Sequence, residues 1–191
     1  MGLAAYIALL ALVGAERIAE LLLSRRNARL AFARGGVETG AAHFRWMALL
    51  HAAFLPACAL EASQLAFPGA IGWAALLLLL CAQALRWWAI ASLGESWNVR
   101  VIVVPGAPPK RSGPYRWVRH PNYIAVIVEM FAIPLIHGAW VCAFAFSALN
   151  AIVLRVRIRD EERALGPSWE REFAQVPRFI PRGGPEHRWT R

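Results

Sequence analysis

Two short groups of polar residues in this sequence have the types and spacing needed to bind a small charged molecule. Arg119 and His120 are followed by Tyr123 in the stretch RHPNY, and further along the chain Glu161 and Glu162 close the run RVRIRDEE. Guanidinium and imidazolium groups hold a carboxylate through charge-assisted hydrogen bonds, and a carboxylate holds an ammonium group in the same way. Together the two groups predict a site for a zwitterion.

The elements that must position these groups are long apolar stretches. The chain of 191 residues is 58% hydrophobic and contains nine Trp, which is typical of a membrane protein. A helix that crosses the hydrocarbon layer needs about 20 residues, and fewer where the bilayer thins. We therefore predict an all-α integral membrane protein with five transmembrane helices. The predicted spans are residues 3–23, 46–62, 70–91, 122–136 and 139–154.

The basic residues are concentrated on one predicted side of the membrane. All but two of the 21 Lys and Arg lie in residues 24–45, 92–121 and 155–191, and five spans place these regions on the same side. The positive-inside rule then puts the N-terminus outside, and the C-terminus and the zwitterion site in the cytoplasm. The net charge of +9 is thus explained by topology and by membrane lipids as partners, and no nucleic acid partner is expected.

The connection between the last two spans decides whether the two polar groups can meet. Only the residues Ile136-His137-Gly138-Ala139 separate these spans, which predicts a tight antiparallel helical hairpin. Both open ends of such a hairpin return to the same face of the membrane. The RHPNY stretch and the glutamate pair should therefore be neighbours.

Two further segments are predicted on the cytoplasmic side. Residues 92–121 are rich in Gly and Pro, which supply turns, so this segment is either a structured cover or a flexible connector. After the fifth span the helix should continue to Gly166-Pro167, where it should stop. Beyond that point, Trp169, Phe173 and Val176 recur at helical spacing and predict a short helix that packs back onto the protein surface.

One domain is the economical interpretation of the whole chain. We find no internal repeat or long linker, so residues 1–181 are predicted to form a single integral-membrane domain, and residues 182–191 a disordered tail.

Five ionisable residues fall inside the predicted spans, where such groups are costly and normally pair with one another. They are Glu16, Arg17, Glu20, Arg86 and Glu129. One interpretation is that Glu16 or Glu20 forms a buried ion pair with Arg86 that fixes helix packing. The other is that these residues line a tunnel for the substrate.

Several other kinds of site are not expected. Cys58, Cys81 and Cys142 lie in apolar spans without CxxC spacing or a histidine cluster, so we predict packing roles and neither a disulfide nor a metal site. No glycine-rich nucleotide motif occurs. The charged residues alone also fit a second interpretation, in which Arg119 and Arg159 extend to lipid headgroups and the glutamates neutralise them.

At these residues the sequence resembles the isoprenylcysteine carboxyl methyltransferase family, integral-membrane methyltransferases that use S-adenosylmethionine. The resemblance covers about residues 70 to 181. This chain departs from it after RHPNY, where many relatives carry a glycine and this chain has Ile124-Ala125-Val126. The segment ERIAELLLSRRN at 16–27 resembles a bacterial branch that O-methylates alkylpyrone or alkylresorcinol lipids. The matching motifs are Gly113-Pro114-Tyr115, Arg119-His120-Pro121-Asn122-Tyr123, Glu161-Glu162 with Leu165, and the ending VPRFIP at 176–181.

The resemblance implies a cofactor pocket at the cytoplasmic face of a bacterial inner-membrane protein, built from the last two helices, the preceding loop and the C-terminal tail. It implies that Arg119 and His120 lie near the methionine carboxylate. Tyr123 would contact the adenosine or sulfonium region, and the glutamate pair the ammonium or ribose. The residues of the implied pocket are Gly113, Pro114, Tyr115, Arg119, His120, Pro121, Asn122, Tyr123, Glu161 and Glu162.

The implied reaction is direct SN2 transfer of a methyl group from S-adenosylmethionine to an oxygen of a lipophilic small molecule. Arg157 or Arg159 could orient that oxygen, which would belong to an alkylpyrone-type lipid or a prenylcysteine-like carboxylate. Alignment of the reacting atoms would supply most of the catalysis. A folded cover over the site would exclude water.

Two other functions fit parts of the sequence. The stretches RHPNY, RDE and VPRFIP also resemble the C-terminal end of membrane sterol reductases, which use NADPH. Those proteins are much longer and carry an acidic residue near the position of Ala125-Val126. The third possibility is a non-catalytic membrane protein whose basic face binds anionic lipids.

Overall fold

The structure is a computed structural model that describes residues 1–181, apart from the side chains of residues 41–43. The tail predicted to be disordered, residues 182–191, lies outside the described residues. The described chain forms five long α-helices and one small sheet. In chain order the elements are α1 (Leu3–Ala33), β1 (Val37–Thr39), α2 (Ala41–Ala62), α3 (Ala70–Leu93), β2 (Val101–Val103), α4 (Pro121–Leu135) and α5 (Trp140–Glu172).

Two of these helices are long and apolar enough to cross a membrane. They are α3, which a short 3₁₀ turn extends to Ser96, and α5. The 15-residue helix α4 is apolar but shorter. The other two predicted crossings correspond to α1 and α2, so five crossings and their orientation stay a prediction.

One apolar core joins all five helices. Tyr6 of α1, Leu79 of α3 and Ile133 of α4 are almost completely buried in it. The hydroxyl of Tyr6 donates to the carbonyl oxygen of Ile133 at 3.0 Å, which satisfies its polar group inside the core. The cysteines are free: Cys58 and Cys142 pack in this core as predicted, whereas Cys81 is exposed, so the packing prediction is wrong for that residue.

The predicted hairpin of the last two helices is confirmed. Helix α4 ends at Leu135 and α5 begins at Trp140. The carboxylate of Glu61, at the end of α2, accepts hydrogen bonds from the backbone N–H groups of Val141 and Cys142 at 3.0 and 2.8 Å. These contacts satisfy two of the free N–H groups at the start of α5.

Helix α5 has two parts. Its 33 residues would span about 50 Å if straight, well beyond the hydrocarbon thickness of about 30 Å. Gly166 interrupts it with φ +73° and ψ −170°, a conformation that side chains with a Cβ rarely adopt. After this kink Trp169, Phe173 and Val176 are buried against Ala89 and Tyr115, as the sequence predicted.

The fold is mostly helical, as predicted, and it also contains one small sheet that was not predicted. Strands β1 and β2 pair antiparallel, with Val37 opposite Val103 and Thr39 opposite Val101. The run VRVIVV at 99–104 has the β-branched composition of a strand. The Gly and Pro residues on both sides of it predict turns, and the strand between them was not predicted.

The ionisable residues of the predicted spans form ion pairs with one another. Arg86 of α3 donates to both carboxylate oxygens of Glu20 on α1, at 2.5 and 2.7 Å. It also lies 3.2 Å from the carboxylate of Glu129 on α4. The interpretation as buried ion pairs that hold α1, α3 and α4 together is therefore confirmed.

Candidate functional site

The RHPNY stretch lies at the start of α4, beside the end of the described chain. The backbone N–H groups of Arg119 and His120 donate to the carbonyl oxygens of Pro177 and Arg178 at 2.9 and 3.2 Å. Pro121 occupies the first turn of α4, where its missing N–H costs nothing. These two hydrogen bonds hold the segment around Pro177 and Arg178 against the RHPNY stretch.

His120 and Glu162 form the contact that the hairpin predicted. The ring nitrogen Nε2 of buried His120 lies 3.1 Å from Oε1 of Glu162. Arg178 of the tail donates to both oxygens of the same carboxylate, at 3.0 and 2.5 Å. Glu162 lies on the polar extension of α5 beyond the apolar segment. Burial raises its pKa, but the hydrogen bonds from His120 and Arg178 outweigh burial and hold the pKa at about 2.

A second set of contacts joins Tyr123, Arg157 and Glu161. The guanidinium of Arg157 donates to the Tyr123 hydroxyl at 2.7 Å, and this hydroxyl donates to the Glu161 carboxylate. Arg157 also donates to the carbonyl oxygen of Val99 at 2.5 Å. The buried hydroxyl of Tyr123 thus connects the guanidinium of Arg157 to the carboxylate of Glu161.

Arg119 is held against the tail and the last part of α5. Its Nε donates to the carbonyl oxygen of Val176 at 2.6 Å, and its guanidinium lies 5.5 Å from the ring centre of Trp169. The planar guanidinium is therefore oriented by an aromatic face and a backbone acceptor.

The segment between α3 and α4 is a structured cover. The side-chain amide of Asn27 on α1 donates to the carbonyl oxygens of Gly94 and Trp97 at 3.1 and 2.8 Å. The hydroxyl of Ser24, one turn earlier, accepts from the backbone N–H of Val99 at 3.0 Å. Sequence analysis missed these anchors, although two small polar residues at i and i+3 in a largely apolar helix were a visible signal.

The motif Gly113-Pro114-Tyr115 forms a 3₁₀ turn that packs on α3. Gly113 has φ +54°, and a Cβ there would lie only 1.9 Å from the hydroxyl oxygen of Ser92. The turn therefore requires glycine for both conformation and space. Tyr115 is buried, and burial raises the pKa of its hydroxyl.

A cavity of about 280 Å³ lies between the cover, the start of α4 and α5. Two polar atoms of its lining residues, Oδ1 of Asn122 and Nη1 of Arg157, are buried and have no hydrogen-bond partner among residues 1–181. The predicted site residues that line the cavity are Tyr115, Arg119, His120, Asn122, Tyr123, Arg157 and Glu161. The predicted site residues outside this lining are Gly113, Pro114, Pro121, Arg159 and Glu162.

Comparison with known proteins places the site within a family. The sequence pattern of the isoprenylcysteine carboxyl methyltransferase family matches residues 74–167, which include the RHPNY stretch and the glutamate pair. The chain belongs to this family. The resemblance stated from the motifs is therefore confirmed. The family consists of membrane methyltransferases, so the chain is a methyltransferase associated with the membrane.

Two bacterial relatives cover most of this member of the isoprenylcysteine carboxyl methyltransferase family. The uncharacterized protein YpbQ of Bacillus subtilis is 36% identical over 158 residues, which are 82% of this chain and 94% of that protein. An uncharacterized protein of Haemophilus influenzae is 30% identical over 154 residues, 79% of this chain and 89% of that protein. Both similarities extend well beyond the family-matched residues.

Proposed function

We propose that this protein is an S-adenosylmethionine-dependent O-methyltransferase that acts on a lipophilic acceptor. The observation that carries the proposal is the cavity wall formed by Tyr123, Arg157 and Glu161, where a cation and an anion line the same small cavity. Family membership supplies methyl transfer as the reaction class.

The residues of the cavity fit the cofactor chemically. S-Adenosylmethionine carries a carboxylate, an ammonium group and hydrogen-bonding ribose and adenine groups. The cavity offers the guanidinium of Arg119, the carboxylate of Glu161 and the side-chain carbonyl oxygen of Asn122, which has no hydrogen-bond partner among the described residues. When bound, the cofactor would supply an electrophilic methyl group for in-line SN2 transfer to an acceptor oxygen.

Each residue then has a role that its contacts support. Arg119 and His120 would hold the carboxylate end of the ligand, and Glu161 the ammonium or a ribose hydroxyl. Both oxygens of Glu162 are already bonded, to His120 and Arg178, so Glu162 would act by positioning the His120 ring. It is a positioning residue in this proposal.

Arg157 is the favoured residue for the acceptor. It is buried, its Nη1 has no partner among the described residues, and it lines the cavity, whereas Arg159 is exposed. A free N–H donor of a buried guanidinium suits an anionic oxygen, such as a carboxylate or the enolate of an alkylpyrone. The cover held by Ser24 and Asn27 would keep water from the reacting atoms.

The proposed topology places this cavity at the cytoplasmic face of a bacterial inner membrane, with the N-terminus outside. The basic residues at the cavity end of the bundle support that orientation through the positive-inside rule.

The test is incubation of bacterial membrane lipids with the purified protein and S-adenosylmethionine carrying an isotopically labelled methyl group. The proposal predicts a labelled methyl ester or ether in the lipid extract, seen by mass spectrometry, and a loss of labelling in Arg157→Ala. Reduction of a lipid double bond with NADPH, without labelling, would instead establish the reductase alternative.

A further inference from the structure

Five ionisable side chains form a cluster inside the helical bundle, and none of them lines the cavity. The cluster contains three carboxylates and two guanidinium groups, so with every member ionised its net charge is minus one. An uncompensated charge in an apolar interior is costly. The members are Glu16, Arg17 and Glu20 of α1, Arg86 of α3 and Glu129 of α4.

Two of the three carboxylates are well supplied with donors. Glu20 accepts from Arg86 at 2.5 and 2.7 Å and from Arg17 at 3.2 Å. Glu16 likewise has three donors. These are Arg17 at 2.9 Å, the indole N–H of Trp87 at 2.5 Å and the side-chain amide of Gln83. Each of these two carboxylates therefore has several hydrogen-bond donors around it, including at least one guanidinium group.

Within the part of the chain that the structure describes, Glu129 has a single hydrogen-bond donor. Its Oε2 lies 3.2 Å from Nη1 of Arg86 and 3.7 Å from Nη1 of Arg17, while its Oε1 is buried and has no hydrogen-bond partner in the described chain. The residue is only 6% exposed. On α2 the titratable neighbour of the cluster is His51, which lies within electrostatic range of both guanidinium groups. Among the described residues of α5, none forms an ion pair or hydrogen bond with Glu129.

We propose that Glu129 holds a proton at neutral pH, on the oxygen that has no donor. The proton makes the cluster neutral, and the other oxygen of the carboxyl group still accepts from Arg86. A neutral hydroxyl without a partner costs far less in an apolar interior than an unpaired carboxylate does. The bundle therefore contains a proton-binding site separate from the proposed methyl transfer.

The proton couples the stability of the bundle to pH. Because the folded state keeps a proton that the unfolded chain releases, this contribution to stability is complete only below the pKa of a free glutamate, about 4.3, and it is lost as the pH rises from there until folded Glu129 itself loses the proton. Removal of the proton would leave a negative charge between α1, α3 and α4.

The test is infrared spectroscopy of the full chain at neutral pH in a detergent without carbonyl groups, which detects the carbonyl stretch of a protonated carboxylic acid. We expect this band in the wild type, its loss in Glu129→Gln, and its retention in Glu170→Gln, which alters an exposed glutamate. Absence of the band from the wild type, or its persistence in Glu129→Gln, would overturn the proposal.

A second measurement uses thermal unfolding between pH 5 and pH 9, the range in which the unfolded chain has released the proton that the folded protein keeps. The melting temperature of the wild type should fall relative to that of Glu129→Gln as the pH rises, and parallel curves would contradict the proposal. If Glu129→Gln does not fold, infrared spectra of wild-type protein labelled with isotopic glutamate replace the variant. The proposal then requires the carboxylic-acid band to shift with the label and to disappear at alkaline pH.

Discussion

The hydroxyl of Tyr123 lies 2.7 Å from Nε of Arg157 and donates its own proton to the carboxylate of Glu161. This phenol connects α4 to two consecutive turns of α5 at the wall of the cavity. It fixes the guanidinium that faces the proposed acceptor and the carboxylate that faces the proposed cofactor. The geometry of both depends on one hydroxyl group.

Tyr123→Phe should therefore weaken the site without removing the ring. The change leaves Nε of Arg157 and the Glu161 carboxylate each short of one buried partner, and hydrogen bonds to charged groups contribute about 1.5–3 kcal/mol. We expect the affinity for S-adenosylhomocysteine, measured by calorimetry, to fall roughly 10- to 100-fold. An unchanged affinity in correctly folded protein would show that the hydroxyl is not part of the site.

His120→Ala and Glu162→Gln should each weaken cofactor binding and leave the protein folded. The first removes a cavity-lining ring, and the second removes the charge that holds this ring and Arg178. Since Glu162 acts through His120, the double variant should lose little more affinity than His120→Ala alone. Glu170→Gln, on the exposed side of the helix after the kink, is the matched control and should bind normally. Additive losses in the double variant would contradict the positioning role.

Much of this arrangement followed from the sequence because it depends on chain connectivity. The short connection after Leu135 brings the start of α4 next to the far part of α5, whatever the details of packing. The kink at Gly166 and the burial of Trp169 followed from local rules on glycine, proline and helical spacing. These features need only the nearest parts of the chain.

Other features depend on partners that sequence patterns do not specify. The pairing of β1 with β2 joins two three-residue strands that are far apart in the chain, so neither would be stable alone. Arg157 donates a hydrogen bond to the backbone carbonyl oxygen of Val99, and no side-chain type in the sequence indicates such a backbone partner. Glu161 and Glu162 are adjacent, but consecutive helical residues point about 100° apart, so one lines the cavity and the other meets the tail.

The anchoring of the cover by Asn27 gives a third prediction. Asn27→Leu removes two hydrogen bonds to the backbone at Gly94 and Trp97, and the buried carbonyl group of Trp97 loses its donor at a cost of about 1–3 kcal/mol, while that of Gly94 keeps the N–H of Trp97. Hydrogen exchange of residues 94–100 should accelerate, and cofactor affinity should fall. Arg25→Gln, on the exposed side of the same helix, should change neither. Unaltered exchange in Asn27→Leu would mean that the cover is held by other contacts.

Gly113 offers a fourth prediction, on the turn before the RHPNY stretch. Gly113→Ala forces a Cβ toward the Ser92 hydroxyl in a backbone conformation with φ +54°, which costs on the order of 1–3 kcal/mol. We expect a lower melting temperature and weaker cofactor binding. Ser92→Ala in the same background should relieve part of the steric cost but not the backbone strain. Full recovery in that double variant would show that space alone requires glycine.

Loss of the central ion pair should destabilise the bundle more than any change at the cavity. Arg86→Met leaves the buried Glu20 carboxylate without its bidentate partner, and breaking a buried pair typically costs 3–5 kcal/mol. The melting temperature should fall by about 10 °C for a chain of this size. A change within about 2 °C would show that the pair contributes little to stability.

Calorimetric titration of S-adenosylhomocysteine into the purified full-length protein in detergent tests the central claim most directly. The account predicts micromolar binding at one site, weakened in Tyr123→Phe and unchanged in Glu170→Gln, with no binding of NADPH. Absence of binding by both S-adenosylhomocysteine and S-adenosylmethionine to folded protein would contradict it.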